Sequence, residues 1–430
     1  MLPKLITEVP GPRSSALAGE LKRYECSNVT YVADDWPVFW QHAEGVNVWD
    51  EDGNRYLDLT SAFAVAGLGH GWAAEVMRQQ SKELIHAMGD VHPTRLKVEV
   101  CKLLSELTFE RWGEGVGKTT LSNSGFEAVE TALKTAVMAT GKRGIVSFKN
   151  SYHGVGYGAL LGTGIEKFRQ PFERQLATIC QQLDFPSDAS GMALLDEQLG
   201  ELDGNDVGAV LVEPIQGRGG KIVPPDGFLA KLRAWCDQHN AMLIYDEIYT
   251  GLNRTGQLFA CDWEGVAPDL ICIGKSLSGG YPISACVGKA KVMDAWPESE
   301  GEALHTSTFL GNPVGCAMAV ACLKEHGRKQ VEQEVAAKGG MLKRLLDSVE
   351  SPLIHEVRGR GLMWGMDLRH ADGRPAGDVA GDILTEMLRR GIFMLADGAE
   401  GNVLAFTPPF VISDGEIQYA LKELQSALDR

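Results

Sequence analysis

Five apolar runs between residues 145 and 288 constrain the fold of this chain more than any other feature. Helical patterns separate the runs. They are IVSF (145–148), GAVLV (208–212), MLIY (242–245), LICI (270–273) and ISACVG (283–288). Near-continuous apolar strands that alternate with helices are typical of a mostly parallel sheet that helices cover on both faces. Since ligands of such sheets bind beyond the carboxyl ends of the strands, we expect an α/β fold whose functional residues follow these runs.

The two ends of the chain differ in pattern from its middle. Residues 1–60 are extended and aromatic in character, and beyond about residue 320 short strands alternate with amphipathic helices. The C-terminal segments are a helix at about 313–326, a strand over 357–368, a helix from Asp378 to Arg390, the short strands IFML and VLAF, and a helix with a capping box at Ser413–Glu416. We expect a large domain over residues 61–320 and a small α+β domain built from residues 1–60 and 321–430.

Charge and composition argue against several classes of function. The formal net charge of -16 is opposite to the basic surface that nucleic-acid binding requires. No run of about 18 apolar residues occurs, so we expect no membrane span, and the first residues lack the apolar segment of a signal peptide. The nine cysteines form no CxxC pair and no HExxH motif occurs, so we expect reduced thiols in the cytoplasm and no metal site.

The segment RWGEGVGKTTL (111–121) is similar to a nucleotide-binding P-loop but does not match it. Three residues separate Gly113 from Gly117, whereas GxxxxGK[ST] has four residues between its glycines. A P-loop also follows a strand, and the preceding LKVEVCKLLSEL has the pattern of a helix. We therefore do not expect a nucleotide to bind here.

Residues with chemical potential follow three of the apolar runs. Asp246 comes directly after MLIY, Lys275 comes just after LICI, and Tyr152 lies shortly after IVSF. A carboxylate at the end of a buried strand is costly without a partner, and partial burial gives a lysine the lowered pKa that imine chemistry requires. Each residue also has an ordinary explanation: a salt bridge or helix cap for the aspartate, solvation for the lysine and core packing for the tyrosine.

The segment SNSGFEAVETALKTAVMA (122–139) adds a candidate anion site. Ser124 and Glu127 have the spacing of a capping box, and Gly125 lies where the chain enters a helix. Free N–H groups at a helix start bind anions, although an ordinary capped helix has the same pattern. Taken together, a helix start, an aromatic ring, a carboxylate and a lysine suit a phosphorylated pyridine aldehyde. They would hold its phosphate, stack on its ring, keep its nitrogen protonated and form an imine, respectively.

With these residues, the sequence resembles the class III pyridoxal-phosphate aminotransferases, which include 4-aminobutyrate, ornithine and ω-amino acid aminotransferases. The resemblance covers nearly the whole chain. It rests on the ordered motifs VWDEDGNRYLDL, SNSGFEAVE, SYHG, EPIQG, DEIYTGLNRTG, GKSLSGGYP, HTSTFLGNP, VRGRGLMWGMDL and TPPF. It implies the α/β fold of type I pyridoxal-phosphate enzymes, with a mostly parallel, seven-stranded-type sheet between helices. It also implies a homodimer whose active sites lie at the subunit interface.

The resemblance assigns roles to individual residues. It implies that Lys275 forms the imine with pyridoxal 5′-phosphate and later moves the proton, and that Asp246 pairs with the pyridine nitrogen. Glu213 would lie near the phenolic oxygen of the cofactor. The other implied cofactor-binding residues are Tyr152 and Ile248 on the ring faces, His153 beside Asp246, Gln216 beside Glu213, the phosphate-binding Ser124, Gly125 and Phe126, and Thr308 of the neighbouring subunit.

The loop EPIQGRGG departs from the family pattern at a position that governs substrate binding. Many members have a glutamate where this chain has Arg218, and an arginine where it has Ala405. That arginine binds the α-carboxylate of substrates and pairs with the glutamate, so the two changes compensate each other. We hypothesise that Arg218 binds the carboxylate instead, with Phe63 and Ala405 as further substrate residues. The alternative is that Arg218 faces solvent or pairs with an acid. Tyr249 is a further departure, since the family usually has a glutamine there.

These motifs leave more than one reaction open. The first hypothesis is an aminotransferase that moves an amino group from an amine or amino acid to an oxo acid in a ping-pong cycle. Racemases, epimerases, aminomutases, decarboxylases and lyases related to this family share Lys275 and Asp246, so they form the second hypothesis. A cofactor-binding protein without catalysis is the third. The cofactor spectrum after addition of an amino donor separates these hypotheses.

Overall fold

The computed structural model describes residues 1–429 and divides the chain into two compact units. The central unit comprises residues 73–336, and the terminal unit comprises residues 1–72 together with the residues from Ala337 onward. Among the described residues, no helix is both long and apolar enough to cross a membrane.

The bounds of the regular elements follow the chain. The strands are β1 (Trp40–Glu44), β2 (Asn47–Asp50), β3 (Arg55–Asp58), β4 (Gly117–Ser122), β5 (Gly144–Phe148), β6 (Cys180–Leu183), β7 (Val207–Val212), β8 (Met242–Asp246), β9 (Leu270–Ile273), β10 (Ser284–Lys289), β11 (Ile354–Arg360), β12 (Met363–Leu368), β13 (Ile392–Phe393), β14 (Leu395–Asp397) and β15 (Val403–Phe406). The α-helices are α1 (Pro12–Tyr24), α2 (Ala74–Glu83), α3 (Arg95–Leu107), α4 (Gly125–Thr140), α5 (Tyr157–Gly162), α6 (Glu166–Arg169), α7 (Ala189–Glu201), α8 (Phe228–His239), α9 (Ala290–Met293), α10 (Pro313–His326), α11 (Lys329–Leu346), α12 (Gly377–Arg389) and α13 (Asp414–Leu428). Short 3-10 turns cover Gln170–Gln175, Ala260–Trp263 and Lys275–Leu277.

The central unit contains a seven-stranded sheet in the order β4-β10-β9-β8-β7-β5-β6. The pairs β9–β8, β8–β7, β7–β5 and β5–β6 are parallel, whereas β10 is antiparallel to both of its neighbours. The mostly parallel α/β sheet predicted from the apolar runs is therefore confirmed. The last run forms the antiparallel strand because the connection over residues 274–283 is too short for a helical crossover, which a parallel pair needs.

Both faces of this sheet are buried, which explains the near-continuous apolar runs. Successive residues of each strand point to opposite faces, so Val210, Leu243 and Ile271 belong to one core while Leu211, Ile244 and Cys272 belong to the other. Helix α8 packs on the first face and helix α4 on the second. Helices thereby cover the sheet on both faces, so a ligand is expected to bind beyond the ends of the strands.

Helix α4 begins with the predicted capping box. The Glu127 Oε2 atom accepts hydrogen bonds from the Ser124 amide at 2.7 Å and from the Asn123 amide at 3.0 Å. The helix ends at Thr140, and its C-cap Gly141 has a φ of 68°, the left-handed conformation that glycine adopts without steric cost. Val129, Ala132 and Leu133 of this helix pack against the sheet, so the start of α4 is held near the ends of strands β5, β7, β8 and β9.

The terminal unit holds two smaller sheets, in the orders β1-β2-β3-β13 and β11-β12-β15-β14. The single strand predicted over residues 357–368 was wrong, because this segment belongs to an antiparallel hairpin of β11 and β12. Gly361 lies between the two strands and has a φ of 57°, so the backbone turns there in a conformation that glycine favours. The helix predicted from Asp378 to Arg390 corresponds to α12, and the capping box at Ser413–Glu416 starts α13 as expected.

Candidate active site

A cavity of about 220 Å³ opens in the central unit, where the parallel strands end. Its walls come from the segments that follow β5, β7, β8 and β9 and from the start of α4. The lining residues are Gly125, Phe126, Tyr152, His153, Gly154, Val155, Glu213, Arg218, Asp246, Ile248, Tyr249 and Lys275. The structure thus brings together most of the site residues predicted in this unit, although they are widely separated in the sequence.

Asp246 ends strand β8 and is only 4% exposed. Its Oδ2 atom is 2.8 Å from Nδ1 of His153, and its Oδ1 atom accepts a hydrogen bond from the Ile248 amide at 3.1 Å. These two contacts fix the orientation of the carboxylate at the cavity wall. A buried carboxylate held in this way favours a cationic partner in the cavity, because an unpaired buried charge is costly.

Lys275 follows strand β9 and begins a 3-10 turn with a left-handed φ of 44°. Its side chain is half-buried and lines the cavity. Loss of solvation lowers the pKa of this amine below that of an ordinary lysine, although the carboxylates of Asp246 and Glu213 oppose the shift. A lysine with a lowered pKa has a larger fraction of neutral, nucleophilic amine at a given pH.

Glu213 follows strand β7 and joins two of the loops that form the cavity. Its Oε1 atom accepts a hydrogen bond from the Tyr152 amide and its Oε2 atom accepts one from the Gly217 amide, both at 2.9 Å. Burial raises the pKa of this carboxyl group, and the nearby Asp246 charge adds to the increase, whereas His153 and the two amide hydrogen bonds oppose it. The side chain therefore supports the cavity wall and also presents an acid whose proton is held more tightly than usual.

The start of helix α4 offers an anion-binding surface. In the part of the chain that the structure describes, the N–H groups of Gly125 and Phe126 have no hydrogen-bond acceptor, and both residues line the cavity. A Cβ at Gly154 would lie 2.5 Å from Cβ of Phe126, so the phenylalanine side chain packs closely against that glycine. Phe126 can therefore serve an anion with its backbone amide.

Arg218 lies exposed beside the cavity and contacts two aromatic rings. Its guanidinium carbon is 5.0 Å from the ring centre of Tyr152 and 4.9 Å from that of Phe168, and the two rings meet edge to face. Within residues 1–429, no carboxylate lies within ion-pairing distance of it. Of the alternatives left open by the sequence, pairing with a nearby acid is thus not observed. Cation–π contacts leave the donor groups of a guanidinium free to bind an anion.

Three predicted site residues of the central unit do not line the cavity. The Ser124 hydroxyl donates to Oε2 of Glu127 at 2.9 Å, and the buried Gln216 amide group donates to the Lys149 carbonyl at 2.8 Å. Thr308 is exposed on a loop. Ser124 and Gln216 hold the helix cap and a loop in place through their side chains.

Two predicted substrate residues belong to the terminal unit. Ala405 lies in β15 and is 3% exposed. Phe63 is 62% exposed and lies in a left-handed turn over Ser61–Ala64, in which four successive residues that are not glycine have positive φ. Left-handed backbone costs about 1–2 kcal/mol per such residue, and strain of this kind clusters at functional sites.

Sequence reasoning missed three residues around the cavity. Phe168 lies in the charged segment EKFRQPF, whose aromatic residues follow no helical or strand pattern that indicates a site. Tyr249 was noted only as a departure from the family, although it lines the cavity. Lys221 had no predicted role because a lysine in a glycine-rich loop is usually solvated, whereas here it is fully buried.

Comparisons with known proteins agree with the fold. The family model described as Aminotransferase class-III matches residues 30–428. Acetylornithine aminotransferase of Methanopyrus kandleri is 36% identical over 395 residues, which cover 91% of this chain and 95% of that protein. 4-Aminobutyrate aminotransferase of Mycobacterium leprae is 34% identical over 442 residues, with 96% and 94% covered. The solved ornithine aminotransferase of Toxoplasma gondii, described with partial occupancy of PLP at its active site, is 29% identical. Its TM-score is 0.82, and the match covers 96% of this chain and 93% of that one.

Proposed function

The chain belongs to the class III aminotransferase family, and we propose that it transfers an amino group in a ping-pong cycle in which Arg218 binds the substrate carboxylate. The donor is an amine or amino acid and the acceptor is an oxo acid. Enzymes of this family depend on pyridoxal 5′-phosphate. The observation that carries the proposal is the Arg218 guanidinium, which no carboxylate of the described chain neutralises, at the cavity that Lys275 and Asp246 line.

The donor groups around the cavity fit this cofactor. The free N–H groups of Gly125 and Phe126 would bind its phosphate, and the Asp246 carboxylate would pair with its protonated ring nitrogen. Lys275 would bind its aldehyde carbon, since a partly desolvated amine is nucleophilic. When bound, the cofactor supplies an electron sink for the carbon next to the substrate amine.

The residues of the chain then divide the work of proton transfer and charge stabilisation. The Lys275 amine takes a proton from the substrate carbon and returns it in the later step, because its lowered pKa keeps the neutral form accessible. The Asp246 carboxylate would stabilise the positive charge of the protonated ring nitrogen, and His153 keeps that carboxylate in position. Glu213 holds the Tyr152 and Gly217 amides, so the two loops beside the substrate stay in place.

The exchange of an amino group can be tested in a single half-reaction. Addition of an amino donor without an acceptor should release one equivalent of carbonyl product per subunit and convert the cofactor to its amino form. Turnover should resume only when an oxo acid is added. Inversion, rearrangement or decarboxylation of the donor with an unchanged cofactor would instead identify one of the alternative reactions.

Arg218→Ala is expected to raise KM for carboxylate-bearing oxo acids by roughly 10- to 100-fold, because a hydrogen bond to a charged group contributes about 1.5–3 kcal/mol. The kcat value should change little. Steady-state kinetics over a series of oxo acids measures the effect, and an aldehyde acceptor without a carboxylate should show no increase in KM.

Lys167→Ala is the matched control for this prediction. Lys167 is an exposed cation whose ammonium lies 5.3 Å from the centre of the Phe168 ring, yet it does not line the cavity. The control should keep the wild-type KM. An unchanged KM for every oxo acid in Arg218→Ala would remove Arg218 from substrate binding while leaving the aminotransferase reaction intact.

We further propose that two subunits share the site and that Thr308 donates its hydroxyl to the cofactor phosphate of the partner. Several apolar side chains near Thr308 in the sequence or on the adjoining loop are more than half exposed: Ile85, Met88, Val91 and Phe309. The rings of His86 and Phe309 are 5.4 Å apart, so these two segments meet. Exposed apolar surface of this kind supports a subunit interface.

Thr308→Ala is expected to weaken the binding of pyridoxal 5′-phosphate by about tenfold, the effect of losing one hydrogen bond to a charged group. Cofactor titration by fluorescence measures this, and analytical ultracentrifugation should still show a dimer. Thr306→Ala is the control, since the Thr306 hydroxyl donates to Asp90 at 2.6 Å in the same segment. Equal cofactor affinity in both variants would contradict the role of Thr308.

We place the protein in the cytoplasm. All nine cysteines are free thiols, and six of them are buried in the central unit. Such thiols are common in the reducing interior of cells.

A further inference from the structure

Lys221 is a buried cation that the proposed reaction does not use. It is 0% exposed and has a left-handed φ of 55° in the loop that closes where Gln216 pairs with Ile222. Its ammonium group donates to the Tyr249 hydroxyl at 2.9 Å and approaches the Gly217 carbonyl at 3.5 Å. Lysines are rarely fully buried, and here the polar contacts hold the ammonium group beside the cavity.

Tyr249 connects this buried cation to the cavity. A Cβ at Gly217 would lie 3.1 Å from Cγ of Tyr249, so the ring rests directly against the loop backbone. The Lys221 ammonium lies 4.2 Å from the centre of the ring. With its hydroxyl bound by Lys221 and its ring packed on Gly217, Tyr249 has little freedom to move.

Lys275 uses the same ring. Its Nζ atom is 5.0 Å from the ring centre of Tyr249, so the amines of Lys221 and Lys275 both lie within 5.0 Å of one aromatic centre. We propose that Lys221 and Tyr249 form a positioning pair that sets the location and the charge state of the Lys275 amine. The pair rests on the proposed role of Lys275 as the group that moves the proton.

The charges around Lys275 show why such a pair is useful. The carboxylates of Asp246 and Glu213 favour the protonated amine, whereas the cations of Lys221 and Arg218 disfavour it. A substrate carboxylate bound to Arg218 would neutralise that cation during the reaction. Lys221 would then still act against the two carboxylates and favour the neutral form of Lys275.

The test uses the full-length chain loaded with pyridoxamine 5′-phosphate, which leaves the Lys275 amine unbonded. Competitive acetylation with acetic anhydride between pH 6 and pH 11, read by peptide mass spectrometry, reports the neutral fraction of Lys275. In Lys221→Met the labelling of Lys275 at pH 8 should fall roughly fivefold and recover at pH 11, since a nearby like charge has been removed. The acid limb of kcat/KM for the oxo acid, which meets the enzyme with the amino form of the cofactor and a free Lys275 amine, should move to higher pH.

Tyr249→Phe probes the same pair without removing the ring. Lys221 loses its hydroxyl acceptor in this variant, so the labelling of Lys275 at pH 8 should fall about twofold. The loss of labelling in the double variant should be no larger than in Lys221→Met, because the two residues act as one unit. Lys142→Met is the control: this half-buried lysine donates to the Gly204 carbonyl at 3.0 Å away from the cavity, and its loss should leave Lys275 labelling unchanged.

Unchanged labelling of Lys275 in both Lys221→Met and Tyr249→Phe would overturn the proposal and leave Lys221 as a support of its loop. If Lys221→Met does not fold, Tyr249→Phe decides by the same criterion. Because the labelling measures the amine directly, its outcome does not depend on whether Arg218 binds a carboxylate. A failure of the proposed substrate recognition is therefore distinguishable from a failure of the positioning pair.

Discussion

Lys275→Ala is expected to lower kcat by about 10⁴-fold or more, because the variant loses both the nucleophile and the proton-transferring base. Lys275 is half-buried, and among the described residues that line the cavity there is no second lysine to replace it. Product formation from an amino donor and an oxo acid, measured by chromatography, gives the rate. Added small primary amines should restore part of the activity, since they can accept the proton that the missing side chain would take.

Lys289→Ala is the control for this prediction. Lys289 ends strand β10 of the same sheet, and its ammonium lies 3.0 Å from Glu114 and 3.4 Å from Asp269. Because β10 runs antiparallel to β9, this lysine is at the edge of the sheet opposite the cavity. Its replacement should alter stability but leave kcat near the wild-type value. More than about 1% residual activity in Lys275→Ala would exclude it as the base that carries the reaction.

Asp246→Asn is expected to reduce kcat by roughly 10³-fold, with a smaller change in KM. The amide has nearly the same shape as the carboxylate, so the contact with His153 can persist, but the negative charge at the cavity wall is lost. A neutral group cannot stabilise a protonated ring nitrogen, and the electron sink becomes weaker. Steady-state kinetics at saturating cofactor separates this effect from weaker cofactor binding.

Asp269→Asn provides the comparison. Asp269 is also a buried carboxylate of the sheet, and its Oδ2 atom accepts hydrogen bonds from Arg233 at 2.7 Å and from the Leu243 amide at 2.9 Å. It precedes β9, whereas Asp246 ends the parallel neighbour β8, so the two carboxylates lie at opposite edges. Asp269→Asn should reduce the free energy of unfolding while kcat stays near wild type. Similar losses of kcat in the two variants would show that Asp246 acts only through stability.

The central sheet was largely predictable from the sequence because its strands are buried on both faces. Each apolar run predicted as a strand begins and ends within one or two residues of the observed strand, as at 270–273. The terminal unit was harder, since the pattern of segment 357–368 was interpreted as one strand, whereas the chain turns at Gly361 into a hairpin. The residues of β10 do not show that it is antiparallel to β9; its direction depends on the short connection over residues 274–283.

The site was predictable to the extent that its residues are unusual for their positions. Asp246 and Lys275 are charged groups at the ends of apolar strands, and such positions demand a partner or a function. Their roles, like that of Thr308, remain predictions that the variants above test. Lys221 has no such signal, because nothing in GRGGKIV shows that its side chain turns inward to Tyr249.

The sequence by itself determined the five strands of the apolar runs, the capped start of α4 and the types of chemical group at the strand ends. These features depend on patterns of burial and hydrogen bonding among residues that are close in the sequence. Only the tertiary structure decided which groups meet: Arg218 with the rings of Tyr152 and Phe168, and Lys221 with Tyr249 beside Lys275. Contacts between residues far apart in sequence depend on how loops close against one another, and that information is not local to any motif.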